Sequence, residues 1–160
     1  MMENKTLARW MKAVLVCLAL LGALACVWAI PVLGRDAAEQ LDGGGRYYTA
    51  WLIFLELCAI PCFAALGAAW GVAGRIGENR SFCLENAAAM KRIAWYAGVD
   101  SAFFLAGNVL LLLLNCNHPG VLLCSLAVVL LGGALTVAAG VLSVLIGRAA
   151  GLQEQSDWTI

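Results

Sequence analysis

The strongest constraint on this chain is a set of four apolar runs, each as long as the roughly 20 residues that a helix needs to cross a bilayer. The runs cover residues 13–34, 48–74, 93–114 and 121–147. Unpaired backbone N–H and C=O groups are very unfavourable in lipid, so each run is expected to be helical. Only 12% of the residues are charged, against about 25% in a soluble domain. The sequence therefore predicts an all-α integral membrane bundle of four transmembrane helices, with residues 1–160 forming one domain.

The basic residues predict how this bundle is oriented. Eight of the ten lie on one side of the runs, namely Lys5, Arg9, Lys12, Arg75, Arg80, Lys91, Arg92 and Arg148. Arg35 and Arg46 lie on the other side. Because Lys and Arg accumulate in cytoplasmic segments, we expect both termini, the loop 75–92 and the tail 148–160 to be cytoplasmic.

The first run allows a second interpretation. Residues 5–25 resemble a secretory signal peptide, with the small residues of "ALAC" preceding Cys26. The apolar run continues to Leu33, however, and is longer than a typical signal-peptide core. This length favours a retained spanning helix over a cleaved segment.

Three polar side chains lie inside the apolar runs. Glu56 lies in the second run, and Asp100 and Asn108 lie in the third. An ionised carboxylate at a helix centre costs about 2.5–3.5 kcal/mol on insertion scales, and neither run contains a basic partner. At the α-helical rise, Glu56 is about 12 Å and Asn108 about 9 Å below the outer surface. We therefore predict a hydrogen bond between protonated Glu56 and Asn108, either as a structural contact or as part of a proton, cation or small-ligand site.

Small residues at helical spacing predict close approach between helices. Gly67 and Gly71 are four residues apart in "GAAWG", whereas Gly133, Gly140 and Gly147 repeat every seven residues. Both spacings place small residues on one helix face, where two backbones can come close together. Packing within the bundle is the expected use of these faces, and a homo-oligomer interface is the alternative.

The remaining polar residues form no catalytic or metal-binding pattern. His118 is the single histidine, and in the turn "NCNHPG" it has only Cys116 as a second metal-ligand candidate, fewer than a closed site needs. No Ser–His–carboxylate set or paired-aspartate motif can be assembled. The net charge of zero provides no basic field for nucleic acid. We therefore expect a protein that is not an enzyme, needs no cofactor and does not bind nucleic acid directly.

The stretch "SFCLENAAAMKR", residues 81–92, is the main polar segment in the middle of the chain. Ser81 is the predicted N-cap of a helix, and Glu85 lies in its first turn, where a carboxylate interacts favourably with the helix dipole. This helix is expected to begin in the cytoplasm and continue into the third span. Its start and the tail "QSDWTI", residues 155–160, are the two places where a soluble partner could bind.

Both segments resemble the bacterial DUF2975 membrane proteins. "SFCLENAAAMKRIAW" is similar to the family's Phe-Ser/Cys-x-Glu-Asn followed by a basic helix, and "QSDWTI" is similar to the Asp-x-Thr-Ile that closes many members. The matching residues are Phe82, Glu85, Asn86, Arg92, Asp157, Thr159 and Ile160, with Trp158 in place of the usual aliphatic residue. The length and the four-span layout extend the resemblance over the whole chain.

The resemblance implies a multi-pass protein of the bacterial inner membrane. Members of this family are often encoded beside a small Cro/CI-type helix-turn-helix regulator, which implies a membrane protein that holds or releases a DNA-binding partner. In this interpretation the start of the third helix and the tail bind the regulator. The alternatives are a small transporter or channel subunit that uses Glu56 and Asp100 for proton or cation coupling, and a structural membrane component.

Overall fold

The computed structural model describes residues 2–42 and 48–157, and in this part of the chain all regular structure is helical. The elements are α1 (Met2–Leu24), a π-helical segment (Ala25–Ala29), α2 (Ile30–Asp42), α3 (Tyr48–Gly77), α4 (Leu84–Leu113) and α5 (Pro119–Asp157). The first three follow one another without a break, so they form one long helix. The predicted all-α architecture is confirmed.

Within the described residues, four helices are long and apolar enough to cross a membrane: Glu3–Asp36, Tyr48–Gly77, Leu84–Leu113 and Pro119–Gln153. The predicted four-transmembrane-helix architecture is therefore confirmed. The helices are longer than the apolar runs that predicted them. Helix α4, for example, begins at Leu84, before the apolar run 93–114. It thus begins within residues 81–92 and continues into the third span, as the sequence predicted.

The spanning helices pack in chain order. Helix α1 contacts α3, α3 contacts α4, and α4 contacts α5 in the most extensive of these interfaces. The buried apolar residues are few: Ala8, Phe54, Val72, Ala73, Ala89, Ile93, Leu111, Ala139, Ile146 and Ala150. Most large apolar side chains lie on the outside of the molecule, for example those of Val27 and Leu131. Such a surface is far more apolar than that of a soluble monomer, and it places these helices in contact with the lipid bilayer.

Two hydrogen bonds connect the elements at one end of the molecule. The Asn4 side-chain amide donates to Asn79 Oδ1 at 2.8 Å, which joins the start of α1 to the connector between α3 and α4. The Ser143 hydroxyl donates to the carbonyl of Ala87 at 2.8 Å, which joins α5 to α4. This end, formed by the start of α1, the connector 78–83 and the last turns of α5, is called the basic end below.

The opposite end has its own contacts between elements. The Tyr48 hydroxyl donates to the carbonyl of Pro31 at 2.9 Å. The Trp51 indole N–H donates to the carbonyl of Cys116 at 2.7 Å. These bonds fix the start of α3 against α2 and against the turn that joins α4 to α5.

The glycine spacings did not predict the contacts between helices within the bundle. A methyl group placed on Gly67, Gly133 or Gly140 would have no packing neighbour within 4 Å. Only Gly147 of the repeat every seven residues faces another helix, with Ala87 Cβ 3.7 Å from the methyl position. Regular spacing places residues on one face, but it does not determine which face meets a neighbouring helix.

The close approach between α3 and α4 instead uses Gly107. A methyl group at this position would overlap the ring of Phe54, which is buried. The Phe54 ring also stacks on Phe104 and lies against Phe103, with centroid distances of 5.7 and 5.5 Å. The aromatic cluster, packed against a glycine, therefore fixes the half of this interface that lies away from the basic end.

Candidate functional site

Asn79 determines how α3 ends at the basic end. It adopts a left-handed conformation with φ 63°, which asparagine tolerates better than most residues. The Arg80 N–H donates to the carbonyl of Arg75 at 2.9 Å, and the Asn79 N–H donates to that of Ile76 at 3.1 Å. These are the two bonds of a Schellman motif, which satisfies the last carbonyls of a helix. The chain therefore leaves α3 in a defined direction.

Asn86 fixes the connector from the other side. Its side chain is 1% exposed, and its amide donates to the carbonyls of Arg80 and Ser81 at 3.1 and 2.9 Å. A buried side-chain amide with two backbone acceptors holds the connector against the first turn of α4. Within the described residues its Oδ1 is buried and has no hydrogen-bond donor.

The prediction that Ser81 is the N-cap of α4 is wrong. Cys83 occupies the N-cap position with extended φ −133° and ψ 155°, and no side chain caps the helix. The Cys83 carbonyl accepts the N–H groups of Asn86 and Ala87 at 3.0 and 3.2 Å. Ser81 contributes its carbonyl to Asn86 instead of its hydroxyl to the helix.

The fixed connector leaves an apolar pair exposed. Phe82 and Leu84 are 58% and 61% exposed, and beside them Arg80 forms an ion pair with Glu85 at 3.0 Å. These four residues are called the entry surface below. Three predicted partner-binding residues, Phe82, Glu85 and Asn86, thus lie close together. Phe82 and Glu85 are exposed to solvent, and Asn86 is buried.

The other predicted partner-binding residues lie elsewhere. Arg92 is exposed on α4, two turns beyond Glu85, and its Nε donates to the carbonyl of Ala88 at 3.5 Å. Helix α5 runs to Asp157. The Asp157 side chain and Trp158, Thr159 and Ile160 lie outside the described part of the chain.

A second candidate site lies inside the membrane span. The Cys62 thiol of α3 donates to Asp100 Oδ2 of α4 at 3.4 Å. Asp100 Oδ1 is buried and has no hydrogen-bond donor among the described residues. Asp100 lies thirteen residues before the end of α4 at Leu113, which is about 20 Å along the helix axis. The pair therefore lies near the middle of the span.

Glu56 and two further thiols extend this site. Glu56 lies beside Cys26 of the π-helical segment, and Cys58 lies near Asp100. Short π-helical segments inside α-helices occur frequently at functional sites. Both carboxyl groups were predicted from the sequence, but the thiols were not, because a cysteine within an apolar run behaves as a small apolar residue. Across residues 2–42 and 48–157, no three His, Cys, Asp or Glu side chains are arranged to hold a metal ion.

The predicted hydrogen bond between Glu56 and Asn108 is not formed. Asn108 is buried, its amide donates to the carbonyl of Phe104 at 2.9 Å, and its Oδ1 accepts from Asn117 at 3.2 Å. Asn108 therefore anchors the turn between α4 and α5. Glu56 of α3 faces Cys26, whereas Asn108 of α4 faces Asn117. Helix rise predicts the depth of a residue but not the neighbour that it faces.

These features define the class of the protein as an all-helical, multi-pass membrane protein. The family model described as "Protein of unknown function (DUF2975)" matches residues 10–160. The chain belongs to this family, which confirms the resemblance drawn from the sequence. It is also 26% identical over 137 residues to the uncharacterized membrane protein YoaS of Bacillus subtilis (strain 168), an alignment that covers 84% of this chain and 86% of that protein. No solved structure matches the chain significantly.

Replacing Asn86 with alanine should destabilise the protein. The carbonyls of Arg80 and Ser81 lose their donor, which typically costs about 1–3 kcal/mol. The thermal unfolding midpoint in detergent should fall by roughly 2–4 °C for each kcal/mol in a chain of this size. Glu85→Gln is the matched control in the same turn, because it keeps the size and an acceptor oxygen of an exposed side chain and removes its charge. An equal fall in both variants would contradict the anchoring role of Asn86.

Proposed function

We propose that this protein is a regulator in the bacterial inner membrane that holds a small cytosolic helix-turn-helix transcription regulator at the membrane surface. The observation that carries the proposal is the entry surface, where Asn86 fixes a connector that exposes Phe82 and Leu84. The proposal places this surface in the cytoplasm, in agreement with the eight basic residues at the same end.

The chemistry of the entry surface suits a protein partner. Aromatic side chains and arginine are enriched at the centres of protein interfaces. Phe82 offers a large apolar contact, and Arg80 and Glu85 offer charged groups at its side. An amphipathic helix of a small helical protein could place apolar residues on the pair and polar residues on the ion pair, a common mode of recognition.

The rigidity of the connector supports the same proposal. Binding must offset the entropy lost when flexible segments become ordered, and a surface that is already ordered avoids this loss. The Schellman motif at Asn79 and the hydrogen bonds of Asn86 order the connector in the free protein. The tail residues Asp157–Ile160 are proposed as a second contact, on the basis of the family motif alone.

A pull-down from bacterial membranes tests the proposal. The intact chain is compared with the double variant Phe82→Ser, Leu84→Ser and with a chain that ends at Ser156. Leu152→Ser is the matched control, because Leu152 is also apolar and 68% exposed near the basic end. Mass spectrometry should identify a helix-turn-helix protein with the intact chain and the control. Recovery should fall at least tenfold with the double variant and with the shortened chain.

Two results of this pull-down would contradict the proposal. One is recovery of the same DNA-binding protein from all four chains in equal amounts. The other is the absence of any DNA-binding protein from the intact chain. Thermal unfolding midpoints of the variants, measured in the same detergent, establish that a loss of recovery does not come from unfolding.

The intramembrane site supports a second candidate function, proton or cation coupling in a small transporter or channel subunit. Intramembrane carboxyl groups usually have a functional role, and Asp100 has a buried oxygen without a donor in the described structure. In proteoliposomes, Glu56→Gln and Asp100→Asn should each abolish a pH-driven ion flux, because neither amide can exchange a proton. Ser125→Ala, also inside a span, should leave the flux intact. Flux that survives in both amide variants would contradict this function.

A further inference from the structure

A cleft of about 280 Å³ lies at the basic end, between the start of α1 and the end of α3. Its lining consists of Lys5, Ala8, Arg9, Lys12, Gly74, Gly77 and Glu78. Three of these side chains are cationic and one is acidic. Among the described side chains the one ion pair is between Arg80 and Glu85, so the charged residues of the cleft have no ion-pair partner there.

The cleft results from a basic face of α1 placed against a glycine face of α3. Lys5, Arg9 and Lys12 are spaced by four and three residues, which places them on one side of the helix. On α3, a methyl group at Gly77 would lie only 3.0 Å from Ala8 Cβ, and one at Gly74 would lie 4.0 Å from Lys12 Nζ. Larger residues at these positions would fill the space in front of the cations.

The three cations are unfavourable neighbours without an anion. Like charges four residues apart on a helix repel each other, and the cleft holds all three close together. Glu78, which also lines the cleft, is exposed and forms no ion pair in the described structure. A bound anion would reduce this repulsion, whereas a neutral or cationic ligand would not.

Lys12 and Trp70 indicate the depth of the cleft in the membrane. The Lys12 ammonium group lies 5.3 Å from the centre of the Trp70 ring, a cation–π contact. Trp70 lies seven residues before the end of α3 at Gly77, about 10 Å along the helix axis, and tryptophan is enriched at membrane–water interfaces. Two other residues of the lining, Gly74 and Gly77, lie between Trp70 and this end, so the cleft lies at the level expected for lipid headgroups.

We propose that this cleft is a binding site for a phosphate group, carried by an anionic lipid headgroup or by a free phosphate ester. Basic pockets between spanning helices bind anionic headgroups in this way. The volume is close to the lower limit of small-molecule sites, roughly 300 Å³, which suits a headgroup and leaves acyl chains outside. On the outside they would lie against the exposed apolar surfaces of α1 and α3.

Native mass spectrometry of the full chain in detergent tests the proposal with phosphatidylglycerol and phosphatidylcholine as probes. The cleft variant is Lys5→Gln, Arg9→Gln, Lys12→Gln. The control is Lys91→Gln, Arg92→Gln, Arg148→Gln, which removes three positive charges outside the cleft lining. The intact chain and the control should retain phosphatidylglycerol over phosphatidylcholine. The cleft variant should bind phosphatidylglycerol at least roughly tenfold more weakly, since each headgroup contact by Lys or Arg contributes substantially.

Two further arms complete the experiment. Glycerol 3-phosphate that displaces the lipid from the intact chain would identify a free ester as the ligand source, and failure to displace it would identify the lipid headgroup. The charge-conserving variant Lys5→Arg, Arg9→Lys, Lys12→Arg should keep binding even where the glutamine variant folds poorly. Equal phosphatidylglycerol binding by the cleft variant and the control would overturn the proposal, as would equal retention of both lipids by the intact chain.

Discussion

The bilayer offers no hydrogen-bond partners, so the polar groups of this chain within the membrane must find them inside the protein. In the part of the chain that the structure describes, the backbone does so by forming four long helices. The turns after α3 and after α4 lie outside these helices, and asparagine residues fix both of them. Asn79 and Asn115 adopt left-handed conformations, with φ 63° and 56°, at the ends of α3 and α4. The buried side chain of Asn86 holds the first of these turns through the carbonyl of Arg80, and that of Asn108 holds the second through the Asn117 amide. These four residues fix the turns that join α3 to α4 and α4 to α5.

The basic end concentrates the features with functional potential in one short segment. Glu78 lines the cleft, Asn79 accepts a hydrogen bond from Asn4 of α1, and the next two carbonyls accept the amide of Asn86. A phosphate group in the cleft and a protein on the entry surface would therefore act on the same connector. This proximity gives a physical route by which the lipid environment could influence partner binding, without a change inside the bundle.

The apolar runs predicted the number and type of the helices, because length and hydropathy determine what can cross a bilayer. The sequence was less informative about contacts between helices. Helix rise placed Glu56 and Asn108 at similar depths but could not show that they face different neighbours. Glycine spacing placed Gly133 and Gly140 on one face of α5, but no other helix that the structure describes packs against these two positions. The cleft depends on the pairing of α1 with α3, which is a property of the tertiary structure and has no local sequence pattern.

The most direct test of this account is the side of the membrane on which the entry surface lies. Cys83 lies between Phe82 and Leu84, and Cys116 lies in the turn at the opposite end. Two variants are compared, one that keeps Cys83 but not Cys116 and one that keeps Cys116 but not Cys83. Each is treated with a membrane-impermeant maleimide in right-side-out and in inverted vesicles. The account predicts that Cys83 reacts only in inverted vesicles and Cys116 only in right-side-out vesicles. Reaction of Cys83 from the outside would contradict it.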